Sequence, residues 1–325
     1  MPGIIQLLPD SIANQIAAGE VIQRPGSAVK ELLENAIDSG ATKIKLVVKD
    51  AGRTLIQVTD NGCGMNETDA RLCFERHATS KIKKADDLFN LHTKGFRGEA
   101  LASIAAIAQV ELKTKRAEDD LGTAIQVEGS EILKQEPVST ANGTVFSMKN
   151  LFYNVPARRN FLKTDQVELR HIIEEFQRVV LVHPDIEFTF THNGDELFHL
   201  NISNLRQRLV NFFGKSLNEK LVPVETDTVQ VNIHGYVFKP ESCKKVRGDQ
   251  FFFVNNRFIK SPALHHAIQT AYANILPNDH HAGYFIFLEV PPGTLDVNIH
   301  PTKTEVKFEH EKDIYTILNA AVRQA

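Results

Sequence analysis

The chain has 325 residues, of which 42% are hydrophobic, so it is long enough to form two domains with sizeable cores. Its 37 Lys and Arg residues against 40 Asp and Glu residues give a net charge of -3, which argues against a constitutively basic nucleic-acid surface. No apolar run is long enough to span a membrane, and the three cysteines lack the paired spacing of a metal site, which disfavours a membrane protein and a structural metal.

The first predicted element is a short amphipathic helix near the N-terminus. Ser11 suits its N-cap, the helix covers Ile12 to Ala18, and Gly19 is expected to close it. The alternative for such a segment is a loose chain terminus.

The segment from 31 to 38 reads Glu-Leu-Leu-Glu-Asn-Ala-Ile-Asp and predicts an amphipathic helix. One face carries Glu31, Asn35 and Asp38, because steps of four and three residues each complete about one turn. The opposite stripe is apolar and is expected to be buried, with Val29, Leu32, Leu33, Ala36 and Ile37 in it. A carboxylate can deprotonate a water and an amide oxygen suits Mg²⁺, so the polar face is a candidate hydrolytic site. A solvated polar face is the alternative for this segment alone.

Two predicted strands, from Thr42 to Asp50 and from Leu55 to Asp60, form a hairpin around a turn at Gly52. The second strand leads into Asp60-Asn61-Gly62-Cys63-Gly64-Met65. An Asp followed by glycines can accept a hydrogen bond from the exocyclic amine of adenine while the backbone comes close to the ligand. The same pattern is also ordinary turn chemistry.

A glycine-rich segment, Gly95-Phe96-Arg97-Gly98-Glu99-Ala100-Leu101, precedes a helix that is predicted to run to about Ala108. This helix is apolar nearly all round, so we expect it to be buried. Its N-terminus offers free N–H groups and the positive end of the helix dipole to a phosphate, although glycines more often simply cap a core helix. Gly143-Thr144 begins a strand that ends at Lys149.

The second half of the chain has helix and strand patterns on either side of a domain break near Asn201 to Ser203, which divides the chain into domains 1–202 and 203–325. A long helix (165–182) and a hairpin that turns at 193–194 precede the break. Predicted helices follow at 205–213, at 262–274 with Ser261 as its N-cap, and at the end of the chain, with strands at 229–238, 251–254 and 284–290.

Taken together and in this order, these motifs resemble the ATP-binding site shared by gyrase B, the ninety-kilodalton heat-shock chaperones, histidine kinases and MutL. The glycine-rich segment from 95 to 101 is similar to the signature of the MutL family of DNA mismatch repair proteins. The segments 12–22 and 152–162 are also similar to that family, and the resemblance extends to His300-Pro301-Thr302-Lys303. It implies an α+β protein in which an α/β sandwich ATP-binding domain is followed by a ribosomal-protein-S5-like α+β transducer domain.

The resemblance implies a Mg²⁺-dependent ATPase and assigns its residues. Glu31 would be the general base and Asn35 the protein ligand of Mg²⁺, whose octahedral preference leaves its other positions to phosphate oxygens and waters. Asp60 would read the adenine amine. The other expected nucleotide contacts are Gly64 and Thr144 near the adenine, Lys81, the lid and helix-cap residues Phe96, Arg97, Gly98 and Leu101, and Lys303, which would reach the γ-phosphate from the second domain.

The resemblance also implies partners. ATP binding would drive formation of a homodimer or a heterodimer with a paralogue, with the N-terminal arm crossing to the partner subunit, and a mismatch-recognition protein of the MutS type would bind. DNA binding is expected to be weak and not sequence-specific, with the candidate contacts Arg158, Arg159, Lys163 and Arg257. The expected location is the cytoplasm, at the nucleoid, in a bacterium or the nucleus in a eukaryote.

Two alternatives remain for the function. One is a topoisomerase-type ATPase subunit on the same fold. The segments around Arg158 and Ile12 disfavour it, because they resemble the MutL family. The other is an ATP-gated clamp or scaffold that binds DNA but does not hydrolyse ATP. A histidine kinase is disfavoured, since the residues before Glu31 are too few for a phosphoacceptor domain. After Phe308 only a helix is predicted, so we expect the chain to be part of a longer protein.

Overall fold

The protein is described by a computed structural model, which covers residues 9–81, 98–277, 279–296 and 306–325. These residues divide into two compact units, with the division in the chain between Ser203 and Asn204. Both units combine helices with a β-sheet, as the α+β class requires. Within the described ranges, each helix is too short or too polar to cross a lipid bilayer.

The first unit is built on one eight-stranded sheet. Its strands are β1 (Lys43–Lys49), β2 (Leu55–Asp60), β3 (Gln109–Lys115), β4 (Gly122–Glu128), β5 (Glu131–Val138), β6 (Gly143–Lys149), β7 (Glu187–His192) and β8 (Asp195–Leu200). The strand order is β5-β4-β3-β6-β2-β1-β7-β8, and only the pairing of β1 with β7 is parallel among these strands. In β1, Ile44, Leu46 and Val48 are buried while Lys43 and Lys45 are exposed, so one face of this strand packs against the core.

The helices of the first unit are α1 (Asp10–Val21), α2 (Pro25–Asp38), α3 (Glu67–Leu72), α4 (Ala100–Ile107), α5 (Pro156–Phe161) and α6 (Asp165–Val180). α2 packs against α6, and α1 packs against α4. The predicted stripe of α2 is buried at Val29, Leu32, Leu33 and Ala36, but Ile37 is only half-buried. α4 is buried along nearly its whole length, as its all-round apolar sequence predicts.

The boundaries predicted for the N-terminal helix were wrong. α1 begins at Asp10 after Pro9, continues through Gly19 and ends at Val21. Ala18 and Ile22 have no exposed surface, so the C-terminal part of this helix belongs to the core of the unit. Gly19 does not close the helix, because packing against α4 outweighs the modest helix-breaking tendency of a single glycine.

The second unit contains a five-stranded sheet of order β12-β11-β13-β10-β9. Its elements are α7 (Leu205–Phe213), β9 (Leu221–Asp227), β10 (Asn232–Phe238), β11 (Gln250–Val254), β12 (Arg257–Ile259), α8 (Pro262–Tyr272), β13 (Tyr284–Glu289), the short pair β14 (Leu295–Asp296) and β15 (Lys307–Phe308), and α9 (Glu311–Gln324). The Ser261 side chain accepts a hydrogen bond from the Leu264 N–H, which confirms the predicted cap of α8. The edge strands β9 and β12 had no sequence-based prediction.

Candidate nucleotide site

Helix α2 presents a polar face opposite its buried stripe. Pro25 occupies its first turn, where the missing N–H costs nothing, and the helix then runs without interruption to Asp38. Glu31, Asn35 and Asp38 are all partly exposed on the predicted face, whereas Val29 and Leu33 on the other side are fully buried. The sequence-based placement of these three polar side chains on one surface of the helix is therefore confirmed.

Lys81 lies against the C-terminal half of this face. Its Nζ atom donates to Asp38 Oδ2 at 2.6 Å and to Asn35 Oδ1 at 3.1 Å. Both ends of the ion pair are shielded, because only 8% of the Asp38 side chain and 18% of the Lys81 side chain are exposed. The structure thus brings a cation to two of the oxygen-bearing side chains on this face, the neutral Asn35 and the charged Asp38.

Asp60 ends β2 immediately behind the last turn of α2. Its Oδ1 atom accepts a hydrogen bond from the Gly62 N–H at 2.9 Å and from the Ser39 hydroxyl at 3.4 Å. The Ser39 hydroxyl also reaches the Ala36 carbonyl of α2 at 2.7 Å, so helix and strand end are tied together. Burial raises the pKa of the Asp60 carboxyl from its ordinary 3.8 to about 6, although the bonds from Gly62, Ser39 and the backbone of Thr144 act in the opposite direction.

Thr144 lies beside Asp60, because β6 pairs with β2 in the register that places these two residues opposite each other. The Thr144 hydroxyl is 3.1 Å from that of Thr114, which is fully buried. Thr114 Oγ1 also accepts from the Met65 N–H at 2.9 Å and thereby fixes the loop that follows Asp60. In the same loop Gly64 has φ 65°, and a Cβ there would lie 2.1 Å from the Lys115 carbonyl oxygen, so only glycine fits.

The N-terminus of α4 lies next to the segment that carries His77. Gly98 has φ 64°, and a Cβ there would lie 2.3 Å from the Ala78 carbonyl oxygen. The His77 N–H donates to the Gly98 carbonyl at 3.1 Å, so this contact holds the two segments together. Leu101 is half-buried in the first turn of α4. The predicted site residues Phe96, Arg97 and Lys303 lie outside the described residues.

The four candidate DNA contacts have different surroundings. Arg158 on α5 is half-buried, and its Nη1 atom donates to the Gly19 carbonyl of α1 at 2.7 Å. Arg159 is exposed. Lys163 is also exposed, and its backbone is held by Glu168 Oε1, which accepts from its N–H at 2.9 Å, and by the Arg53 guanidinium, which donates to its carbonyl. Arg257 lies on β12 of the second unit. The head group of Arg158 is therefore engaged within the protein.

Two family models match the chain, one in each unit. Residues 23–151 match the family described as histidine kinase-, DNA gyrase B- and HSP90-like ATPase. Residues 209–325 match the C-terminal domain of the DNA mismatch repair proteins. The DNA mismatch repair protein MutL of Flavobacterium psychrophilum is 63% identical over all 325 residues, and that of Christiangramia forsetii is 62% identical over the same length. The chain belongs to the MutL family. It spans about half the length of these curated relatives, covering 53% of each.

Solved structures agree with the fold of this MutL-family chain. The crystal structure of the N-terminal domain of a DNA repair protein has a TM-score of 0.81 at 23% identity, over 96% of this chain and 97% of that one. The Aquifex aeolicus MutL ATPase domain complexed with ADP has a TM-score of 0.64 at 24% identity, over 92% of this chain and 98% of that one. The predicted fold class, an ATPase domain followed by an S5-like domain, is therefore confirmed.

Sequence reasoning missed three contributors to the site of this MutL-family chain. Ser39 and Thr114 connect α2, β2, β6 and the loop after Asp60, but a single hydroxyl in a turn or a strand carries no recognisable sequence signal. Asp38 was placed on the polar face without a role, although its spacing from Asn35 is the signal that could have assigned one. The residues present suit a hard divalent cation, since an amide oxygen and a carboxylate oxygen converge on the single Lys81 ammonium.

Proposed function

We propose that this MutL-family chain binds Mg·ATP in its first unit and hydrolyses it to switch conformation during DNA mismatch repair. The observation that carries the proposal is the continuous surface formed by α2 and the end of β2. Asn35 and Asp38 lie on the polar face of α2, and the Ser39 hydroxyl connects the last turn of that helix to the Asp60 carboxyl. The polar face of α2 and the Asp60 carboxyl are thus connected through the Ser39 hydroxyl, which supports the proposal.

The proposed chemistry uses Glu31 and Asn35 on the same helix face. Glu31 orients the attacking water and accepts its proton, while Asn35 Oδ1 is the protein ligand of Mg²⁺. When bound, Mg²⁺ would neutralise negative charge on the phosphate oxygens. Lys81, which the structure places beside Asn35, adds a positive charge within reach of the phosphates. Helix α2 keeps these groups in register because its other face is locked into the core.

Nucleotide recognition is proposed to involve the end of β2 and the N-terminal turn of α4. Asp60 accepts a hydrogen bond from the exocyclic amine of adenine, with Gly64 and Thr144 lining the same part of the pocket. Gly98 and Leu101 belong to the N-terminal turn of α4, whose N–H groups suit a phosphate. Phe96 and Arg97, which the resemblance assigns to a lid, and Lys303, which it assigns to the γ-phosphate, complete the proposed set. Loss of the Lys303 contact on hydrolysis would change the conformation of the protein.

The partners proposed are a second MutL-type chain, DNA and a mismatch-recognition protein of the MutS type. Dimer formation on ATP binding is supported by α1, whose outer face exposes 45% of Ile12 and 53% of Ile16 one turn apart. Of the four candidate DNA contacts, Arg159 and Lys163 are exposed and are proposed to make phosphate-directed DNA contacts. The curated relatives are bacterial, so the bacterial cytoplasm is the proposed location rather than a nucleus.

A single-turnover assay on the wild type and on Glu31→Ala tests the enzymatic proposal. Loss of a positioned base should lower the hydrolysis rate by about 10²–10⁴-fold while Mg·ATP binding persists, because the base acts only on the water. Glu34→Ala, three residues further along the same helix, is the matched control and should keep both properties. Equal hydrolysis by the wild type and Glu31→Ala would refute the assignment of the base. A wild type that binds ATP but does not turn it over would favour the non-hydrolysing clamp.

A further inference from the structure

The Lys81 ammonium bridges the two oxygens at the C-terminal end of the polar face of α2. It lies 2.6 Å from Asp38 Oδ2 and 3.1 Å from Asn35 Oδ1, so both oxygens face the same small volume. Oxygens of a carboxylate and an amide are the ligands that hard divalent cations prefer. A side-chain cation thus contacts the same amide oxygen of Asn35 that is proposed above as the ligand of Mg²⁺.

The burial of this contact separates it from an ordinary surface ion pair. The Asp38 side chain is 8% exposed and the Lys81 side chain 18% exposed. By contrast, the Lys43–Glu187 pair of the same unit joins atoms 2.8 Å apart with exposures of 63% and 23%, and water screens it. Because water screens Asp38 and Lys81 only weakly, the loss of the ammonium would remove a positive charge that stabilises this carboxylate and would favour another cation beside it.

We propose that Asn35 and Asp38 form a divalent-cation site that Lys81 keeps filled with its own ammonium, so that the metal enters only together with a nucleotide. This inference rests on the proposed function. Nucleotide phosphates give the ammonium an alternative partner, and they give the metal its missing ligands. The like charges of Lys81 and the metal cannot both stay at the two oxygens, so metal and nucleotide binding become coupled. Asp38 then acts as a positioning residue for Lys81 and as a ligand candidate for the metal.

The test measures Mn²⁺ binding in the absence of nucleotide, because Mn²⁺ accepts the same oxygen ligands and is visible by electron paramagnetic resonance. Lys81→Met keeps an unbranched side chain but removes the charge, and it should bind Mn²⁺ at least about tenfold more tightly than the wild type. Lys81→Arg retains the charge and should bind Mn²⁺ no more tightly than the wild type. The double variant Lys81→Met/Asp38→Asn should return to the wild-type affinity. Lys43→Met, which breaks the exposed pair, is the matched control and should also match the wild type.

Folding of each variant is checked by circular dichroism, and Lys81→Ala serves as a second variant if Lys81→Met is unstable. Mn²⁺ should then raise the thermal unfolding midpoint of the Lys81 variant and not that of the wild type, because a ligand stabilises the state that binds it. Equal Mn²⁺ affinities for the folded wild type and the folded Lys81→Met protein would overturn the inference. Wild-type ATP binding and hydrolysis are measured in parallel, so their failure would refute the proposed function separately.

Discussion

The Arg158 guanidinium lies directly against Gly19, where it fills the space that any other side chain at this position would need. A Cβ built on Gly19 would lie 1.6 Å from Arg158 Nη2, while Nη1 donates to the Gly19 carbonyl at 2.7 Å. That carbonyl is in the last turn of α1, where the helix itself offers no hydrogen-bond donor and has no basic residue. Arg158 therefore caps α1 from another part of the chain and places a positive charge at the negative end of its dipole.

We expect Arg158→Ala to loosen α1 and Arg159→Ala to leave it unchanged. A partly exposed hydrogen bond of this kind contributes about 0.5–1.5 kcal/mol, so amide exchange in residues 10–21 should become roughly 2- to 10-fold faster. Arg159 is exposed and adjacent in sequence, which makes it the matched control. Hydrogen–deuterium exchange measured by mass spectrometry gives the comparison. If both variants protected α1 as well as the wild type does, the cap would have no role in holding the helix.

The same contact predicts that substitutions at the two positions are not additive. Gly19→Ala displaces the guanidinium, although alanine itself is the better helix former by about 0.5–1 kcal/mol. Once the guanidinium is displaced, removing it by Arg158→Ala should cost little more. A double-mutant cycle on the free energy of unfolding should therefore give a clear interaction energy between Gly19 and Arg158. Simple addition of the two single effects would show that the two residues are independent.

We expect Asn35→Ala and Asp60→Ala to weaken nucleotide binding in different ways. Asn35→Ala should lower the affinity mainly when Mg²⁺ is present, because its proposed partner is the metal. Asp60→Ala should lower it with or without Mg²⁺, since the proposed adenine contact involves no metal. Equilibrium titrations with a fluorescent nucleotide, in Mg²⁺ and in a chelator, measure both. The same metal dependence in the two variants would contradict the division of roles.

Because the pKa of Asp60 is raised, this carboxyl contributes to the free energy of unfolding at low pH, and the contribution decreases between pH 3.8 and about 6. Below the ordinary pKa of 3.8 the carboxyl is protonated in both the folded and the unfolded states. Between 3.8 and about 6 the folded protein keeps a proton that the unfolded chain releases, so this stabilisation is lost as pH rises and is gone above about 6. The loss is at most about 3 kcal/mol.

Asp60→Asn removes that titration and serves to measure it. The difference in the free energy of urea unfolding, variant minus wild type, should grow between about pH 4 and about pH 7 and then stay constant. Nucleotide affinity of the wild type should rise over the same pH range, since an ionised Asp60 is the better hydrogen-bond acceptor for the adenine amine. A difference in unfolding free energy that does not change with pH would mean that Asp60 titrates normally.

Dimer formation is the fifth expectation, and the bounds of α1 determine which N-terminal deletion can test it. A non-hydrolysable ATP analogue should convert the chain from monomer to dimer, and ADP should be much less effective because it lacks the γ-phosphate. Removing residues 1–19 would cut into α1 and expose the buried surface around Ile22, whereas removing residues 1–9 leaves the helix whole. The shorter deletion should abolish the dimer in sedimentation experiments and preserve nucleotide binding.

A second variant tests the outer face of α1 in the same assay. Ile12→Ser/Ile16→Ser should weaken the dimer without unfolding the monomer, because both side chains are about half exposed. A dimer that forms without ligand, or that survives both changes, would rule out the ATP-driven arm.

Sequence reasoning was accurate where one periodic pattern decided the structure. The apolar stripe of α2 has a single interpretation as a helix, and it placed Glu31, Asn35 and Asp38 correctly. The N-cap of α8 at Ser261 and the turn of the hairpin between β7 and β8 each depend on a few neighbouring residues, and the sequence predicts both correctly.

Long-range contacts account for what the sequence could not predict. Gly19 has the local signature of a helix end, but α4 and Arg158 extend α1 past it. Phe152 is fully buried with φ 63°, a left-handed conformation that no local rule assigns to phenylalanine, and its N–H donates to the Ile107 carbonyl of α4. The pairing of Lys81 with Asp38 joins residues that are far apart in the chain, so spacing alone could not reveal it.

The position of β6 in the first sheet determines when this site forms during folding. β6 lies between β2 and β3, and it brings Thr144 beside Asp60 across a long stretch of intervening chain. Closing such a stretch is entropically costly, and pairings of this kind form late and slowly. We therefore expect the Asp60–Thr144 part of the proposed site to form late in folding, so that a nucleotide binds only the completed fold. Nucleotide should therefore slow unfolding and leave the folding rate unchanged.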